Sequence, residues 1–396
     1  MGSAGTGTLN VEDGGSVSNR KGYVGYGSGS SGTATVTGSG SSWASSGDLH
    51  VGGYGTGIVT VADRGSLSSG DGYLGKESGS SGTATITGAG SSWTNGATTW
   101  DDSYLYVGGG GTGTLNVENG GSVSTSFGYL GEESGSSGTA TITGTGSSWT
   151  NSGSLYLGGS AGDVSVLDGG TLNVGGLTRI YSGGTLTLGT STFTSSGIVM
   201  AGGSLAASTA AGEEGGLFSA NVGTVSGYGD ISAPLHLGTA GQVAGAGGVL
   251  TLSGVVTGSG TLSDLTLDGG DITIGNSAGV ITLEDVLVAA TTTFEFGIEG
   301  TDPSEFDRLI LTGDVTLAGT AVLGVAQGVS ISVGSTFALV DFSGANLTGW
   351  FDDVETPSGW SLDPFSGVLT VVPEPGTGAL LAVGLVVLGA RRRWNC

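Results

Sequence analysis

SSGTATVTGSGSSW at Ser30–Trp43, SSGTATITGAGSSW at Ser80–Trp93 and SSGTATITGTGSSW at Ser136–Trp149 are three copies of one stretch. In the first copy Thr33, Thr35 and Thr37 alternate with Ala34 and Val36. A period of two puts the threonines on one face and the apolar residues on the other, which is the signature of a half-buried β-strand. Written three times, the strand makes the chain a repeat array, in which each unit adds to one continuous core.

Working outward, the units phase on Gly5, Gly55, Gly111 and Ala161, about 50 residues apart, with a short insertion between Thr98 and Ser103. A half-period lies inside each unit: GTLNV starts at Gly7, GTATV at Gly32 and GIVTV at Gly57. A rung of about 25 residues fits a three-sided coil. Its sides are GTLNV, then GSVS after the turn EDGG, then GYVGYG. Leu9, Val11, Val17 and Val24 would point inward, and Thr8, Asn10 and Ser16 outward. Asp13-Gly14, Asn119-Gly120 and Asp168-Gly169 supply turn residues that tolerate positive φ. The expected fold is therefore all-β: a right-handed parallel β-helix, or solenoid, with a C-terminal β cap and a short C-terminal transmembrane helix.

Four regions follow: regular repeats over 1–160, a less regular continuation over 161–293, a cap region over 294–372 where Phe and Trp become frequent, and a tail over 373–396. In the tail, Pro373-Glu374-Pro375 stops the last strand, Ala379–Ala390 is apolar, and Arg391, Arg392 and Arg393 follow. The apolar stretch is short for a membrane span, and the arginines would hold its end in the cytoplasm. That arrangement suits transient anchoring. The start, MGSAGTGTLNVEDGG, has neither a basic n-region nor an apolar h-region, so no secretory signal is visible, and the expectation is either an N-terminally incomplete chain or a misassigned start codon.

Lys plus Arg number 9 against 33 Asp plus Glu, for a net charge of −24. Such a surface repels phosphate backbones, which excludes nucleic acid as a partner. No defined metal site or cofactor is expected, calcium being held at most loosely by the acidic surface. Cys396 is the only cysteine, so no intrachain disulfide forms.

Candidate chemistry is sparse. The carboxylate pairs Asp101 with Asp102, Glu132 with Glu133, and Asp302 with Asp307 have no feature that singles them out as an acid and a base. His50 and His236 sit in alternating strands and are expected to face solvent. No nucleophile elbow, zincin helix, Walker loop or calcium nonapeptide array is present, so the chain is not expected to be an enzyme. Trp43, Trp93 and Trp149, like Tyr23, Tyr73 and Tyr129, recur at fixed offsets, and packing against the next coil is weighed above sugar binding. Thr33, Thr35, Thr37, Thr83, Thr85, Thr87, Thr139, Thr141 and Thr143 form the candidate outward binding face. Ice binding is one use for such a lattice of hydroxyls, against the plain fact that Thr is a good exposed strand residue.

Two resemblances rest on these residues. VVPEPGTGALLAVGLVVLGARRR resembles the PEP-CTERM sorting signal of Gram-negative bacteria, with Pro373, Glu374, Pro375 and Arg391, Arg392, Arg393 as its matching positions. The resemblance implies export, recognition and cleavage by an exosortase, and release to the cell surface or extracellular matrix. GTLNVENGGSVS, GYLGEESGSSGTATITGTGSSW and SLYLGG resemble repeats shared by PEP-CTERM proteins and autotransporter passengers, which implies a β-helical passenger. The expected function is a structural or adhesive surface or matrix protein, biofilm-associated, with extracellular polysaccharide as a partner. The alternatives are a carbohydrate-active or carbohydrate-binding β-helix module and, below it, an ice-binding protein.

Overall fold

The computed structural model describes residues 1–96, 102–208, 218–220, 224–275 and 278–372, without the side chains at 207, 218–220 and 238–240. The predicted transmembrane helix and the sorting-signal residues Pro373, Glu374, Pro375, Arg391, Arg392 and Arg393 lie outside the described residues, as does Asp101.

The first coil is β1 (Thr6–Val11), β2 (Ser16–Asn19) and β3 (Gly22–Val24); the second is β4 (Ser31–Thr37), β5 (Ser42–Ser45) and β6 (Leu49–Val51). Each strand pairs in parallel with its counterpart one coil on: Thr6 with Ser31 in the first column, Ser16 with Ser42 in the second, Gly22 with Leu49 in the third. The same pairing carries on through β7 (Thr56–Ala62) and its successors, giving a parallel β-solenoid of about twelve turns. No helix occurs among the described residues. The backbone groups of each strand are thus satisfied by the coils on either side, and no coil is complete alone.

Alternation sets the core. Ala34, Val36, Trp43 and Val51 are buried, and so are their register partners Val59, Val61, Leu67 and Leu74. Trp43, Trp93 and Trp149 lie inside the coil, interleaved in one column with Leu67 and Val123. In the first coil Leu9 and Val17 are only partly buried, since among the described residues a coil packs against one side of each. At the turns, Asp13, Asn119 and Asp168 adopt φ of 55°, 53° and 48°, each followed by a glycine that is also left-handed.

Beyond residue 161 the corners change character. Thr192–Ala207 and Leu235–Leu252 run through corners as single long strands, with register shifts such as that between Leu237 and Gly241. The parallel ladder persists past residue 294, where Thr293–Ile298 pairs with Thr320–Val325 and that strand with Asp353–Glu355. A three-stranded antiparallel sheet, Thr336–Ala338, Trp360–Asp363 and Val368–Val371, then packs at this end. Aromatic rings fill its core: Phe337 lies 5.3 Å from Phe306 and 5.7 Å from Trp360, centroid to centroid.

Candidate functional site

Two outward faces of the regular coils hold the candidate residues. On the first side, register puts Thr8, Thr33, Ile58, Thr83, Thr114, Thr139 and Asp163 in one column, and Asn10, Thr35, Thr60, Thr85, Asn116, Thr141 and Ser165 in the next. The nine threonines singled out in the sequence therefore share one face. They do not share one role. Thr37 Oγ1 donates to Asp63 Oδ2 at 3.1 Å, Thr143 Oγ1 donates to Asp168 Oδ2 at 3.1 Å, and Asn119 Nδ2 donates to Thr87 Oγ1 at 3.1 Å. The third threonine of each copy thus braces the left-handed turn residue of the next coil. Among the described residues Thr33, Thr35, Thr83, Thr85, Thr139 and Thr141 make no side-chain hydrogen bond of this kind. Ile58, 42% exposed, interrupts their hydroxyl column.

The third side carries an aromatic ladder, because its central outward position is Tyr23, His50, Tyr73, Tyr106, Tyr129 and Tyr156 in successive coils. Neighbouring ring centroids are 4.6 to 5.1 Å apart, and the rings are within 19° of parallel. That separation is the rung spacing of a parallel sheet, so register imposes the stacking. The Arg179 guanidinium, one rung on, lies 5.6 Å from the Tyr156 ring centre. Each face inside the ladder is covered by the next ring, so only ring edges and hydroxyls reach solvent. A sugar cannot stack on these faces, and the recurrent tyrosines are a spine along the rod. Burial, reinforced by Glu132, pushes the Tyr106 phenol up to about 12, and burial with the neighbouring Tyr156 does the same for Tyr129.

His50 corrects the expectation of a solvent-facing histidine. It occupies an outward position yet is only 5% exposed, because Tyr23 and Tyr73 stack on its two faces. Its Nε2 lies 3.7 Å from Asp48 Oδ2, and its buried Nδ1 has no hydrogen-bond partner. Burial first, and then the Lys76 charge, lower its pKa to about 4. The folded pKa lies below the unfolded value of about 6.5, so this neutral imidazole stabilises the fold above pH 6.5 and the contribution is lost as pH falls from 6.5 towards 4. His50→Tyr, which restores the ladder residue, is expected to remove about 2 kcal/mol of acid sensitivity in that window. Thermal melts from pH 4 to 7 check it: equal pH slopes for the two proteins would show that His50 does not control the loss. His236 is half-buried, with Nδ1 2.9 Å from Thr257 Oγ1.

The carboxylate pairs are not assembled as acid and base. Asp307 is buried and accepts the backbone N–H groups of Gly279 at 2.8 Å and Gly297 at 2.6 Å, tying two coils together. Burial raises its pKa despite those bonds. Asp302 is exposed in the turn that precedes it. Glu132 and Glu133 are side by side on the surface, and burial together with Glu133 raises the Glu132 carboxyl. Among the described residues no group of three or more His, Cys, Asp or Glu is placed to hold a metal ion, and no helix is long and apolar enough to cross a membrane.

Comparison with known proteins adds the tail. Residues 371–393 match the PEP-CTERM protein-sorting motif. The motif and the solenoid together fit a PEP-CTERM protein with β-helical repeats. The motif implies an exported protein recognised by an exosortase-type processing enzyme, at the cell surface of a Gram-negative bacterium. No curated protein matches the chain. Among solved structures, a TibC-catalysed, hyper-glycosylated fragment of TibA is similar over 87% of this chain and 100% of its own, at 16% identity and a TM-score of 0.30.

Proposed function

We propose that the chain is a non-enzymatic rod of the cell surface or extracellular matrix, biofilm-associated, that spaces, coats or adheres. The observation that carries the reading is the union of a sorting motif at 371–393 with a stack whose long faces repeat the same outward chemistry coil after coil. A stack bonded in parallel along its length is stiff and presents many copies of one weak contact, which suits adhesion through multiple sites. The acidic surface keeps such rods apart and soluble. Against catalysis, Asp307 is committed to two backbone N–H groups and Glu132 and Glu133 adjoin in sequence. Ice binding fits less well, since Ile58 breaks the hydroxyl column and Thr37, Thr87 and Thr143 are engaged by turn residues.

The test is cell fractionation with Pro373, Glu374 and Pro375 replaced by alanine in the native host. The unaltered chain should be released in a shortened form, while the variant stays full-length with the membranes. Release of both alike would sink the reading.

A further inference from the structure

The corner that leads from the third side back to the first alternates between coils. Odd coils carry bulky or charged residues there, Tyr26 and then Lys76, whereas the coil between them carries Gly53. The residues pair across the coils through backbone bonds from Tyr54 N to Tyr26 O and from Glu77 N to Gly53 O. A Cβ at Gly53 would come within 2.9 Å of the Tyr26 ring, so glycine is what opens a recess at this coil. The recess is a notch of about 160 Å³ beside the start of the aromatic ladder.

Its walls hold complementary chemistry. Lys21 and Lys76 are two of only six Lys or Arg residues outside the C-terminal arginine cluster, in a chain of net charge −24. Lys21 Nζ is paired with Asp48 Oδ2 at 2.7 Å. Lys76, by contrast, pairs with no carboxylate among the described residues; its ammonium lies 4.6 Å from the Tyr73 ring centre. The notch thus offers one ammonium that no carboxylate holds, beside the carboxylates of Asp48 and Glu77. Tyr26 and Tyr54, 41% and 50% exposed and meeting edge to face at 5.8 Å, form the apolar lip. Unlike the rings inside the ladder, these two present surface to solvent. Asp48 and Glu77 add carboxylate oxygens as acceptors.

We propose that this notch binds one carboxylated sugar residue, a uronate, with its carboxylate on Lys76, its C–H surface against Tyr26 and Tyr54, and its hydroxyls donating to Asp48 and Glu77. The alternatives satisfy the walls less fully. A small inorganic anion would meet Lys76 but would leave the tyrosines bare and give Asp48 and Glu77 no donor. A neutral sugar would leave the Lys76 charge unmatched. A densely charged polyuronate would be repelled by the rest of the rod. The inference rests on the surface-rod reading only for why the ligand is an extracellular sugar, and the test is made on purified protein, so it fails or succeeds independently of the export assay.

The experiment titrates the full chain with sodium glucuronate, with glucose and sodium acetate in parallel, by saturation-transfer NMR and calorimetry. Glucuronate is expected to bind in the millimolar range, tighter than either control, with transfer from tyrosine ring protons. Lys76→Gln should weaken it about tenfold, the loss of one charge-assisted contact. Tyr54→Ala, at an exposed position, should weaken it several-fold while melting at the temperature of the unaltered protein. No binding at about 10 mM, or an affinity unchanged by Lys76→Gln, overturns the proposal. Acetate binding as well as glucuronate overturns the sugar assignment, and glucose binding as well overturns the carboxylate.

Discussion

Trp93→Ala will lower the stability of the repeat region by about 3–5 kcal/mol, the cost of emptying a large aromatic site in a packed core. Trp93 is fully buried between Leu67 and Val123 of the adjoining coils. Its Nε1 donates to Ser69 Oγ at 3.1 Å, and Ser69 Oγ in turn donates to Asn95 Oδ1 at 2.8 Å. Truncation therefore creates a cavity and strips one bond from a buried polar chain, in a stack where each coil's stability includes its two interfaces. The sister residue Trp149 is a less clean probe. Thr125 stands where a serine accepts from Trp93, and its hydroxyl donates instead to Ser103 O, leaving Trp149 Nε1 without a partner. Urea unfolding measures the effect. Thr85→Ala, on the outward face, should change the unfolding free energy by no more than about 0.5 kcal/mol. Equal shifts for the two variants would mean that Trp93 is not a core residue.

The second large effect comes from a corner glycine. Gly75 has φ of 66°, and a Cβ there would collide with the backbone carbonyl oxygen of Thr112, where the coil stacked beyond it begins. Gly75→Ala must therefore pay for the left-handed conformation, about 1–2 kcal/mol, and also push two coils apart. A total of about 3 kcal/mol or more is expected. Gly79→Ala separates the two contributions, since Gly79 has φ of 77° but open space around its Cβ position. It should cost only the conformational part. Identical midpoints for the two alanine variants would show that the coils are not packed at this corner as described.

Much of the architecture was readable because the strand period of two and the coil period of about 25 residues are both written in residue type. Val36, Val61 and Ile86 had to point inward once Thr35, Thr60 and Thr85 pointed outward, and Asp13-Gly14 or Asn119-Gly120 marked the turns. The corners within Thr192–Ala207 and Leu235–Leu252 were not legible, because they are made by register shifts inside a continuous strand rather than by a turn dipeptide. His50 shows a second limit. Alternation placed it on the outside correctly, but outward is not the same as exposed when the rings one coil above and below close over it. The notch was hidden for a related reason: Tyr26, Gly53 and Lys76 become neighbours only through pairing between coils. The nine outward threonines read as a single feature in sequence, and only the cross-coil bonds to Asp63, Asn119 and Asp168 divide them into turn braces and open face.

Export of this acidic stack by way of its sorting motif can be followed from outside the cell. Labelling intact, unpermeabilised cells of the native host with an antibody against the Gly5–Gly159 coils, together with mass analysis of the released chain, tests it most directly. Intact cells should be labelled, and the released species should be cleaved near Pro373-Glu374-Pro375 and lack Arg391, Arg392 and Arg393. Labelling only after permeabilisation, with the arginine cluster still attached, would contradict it.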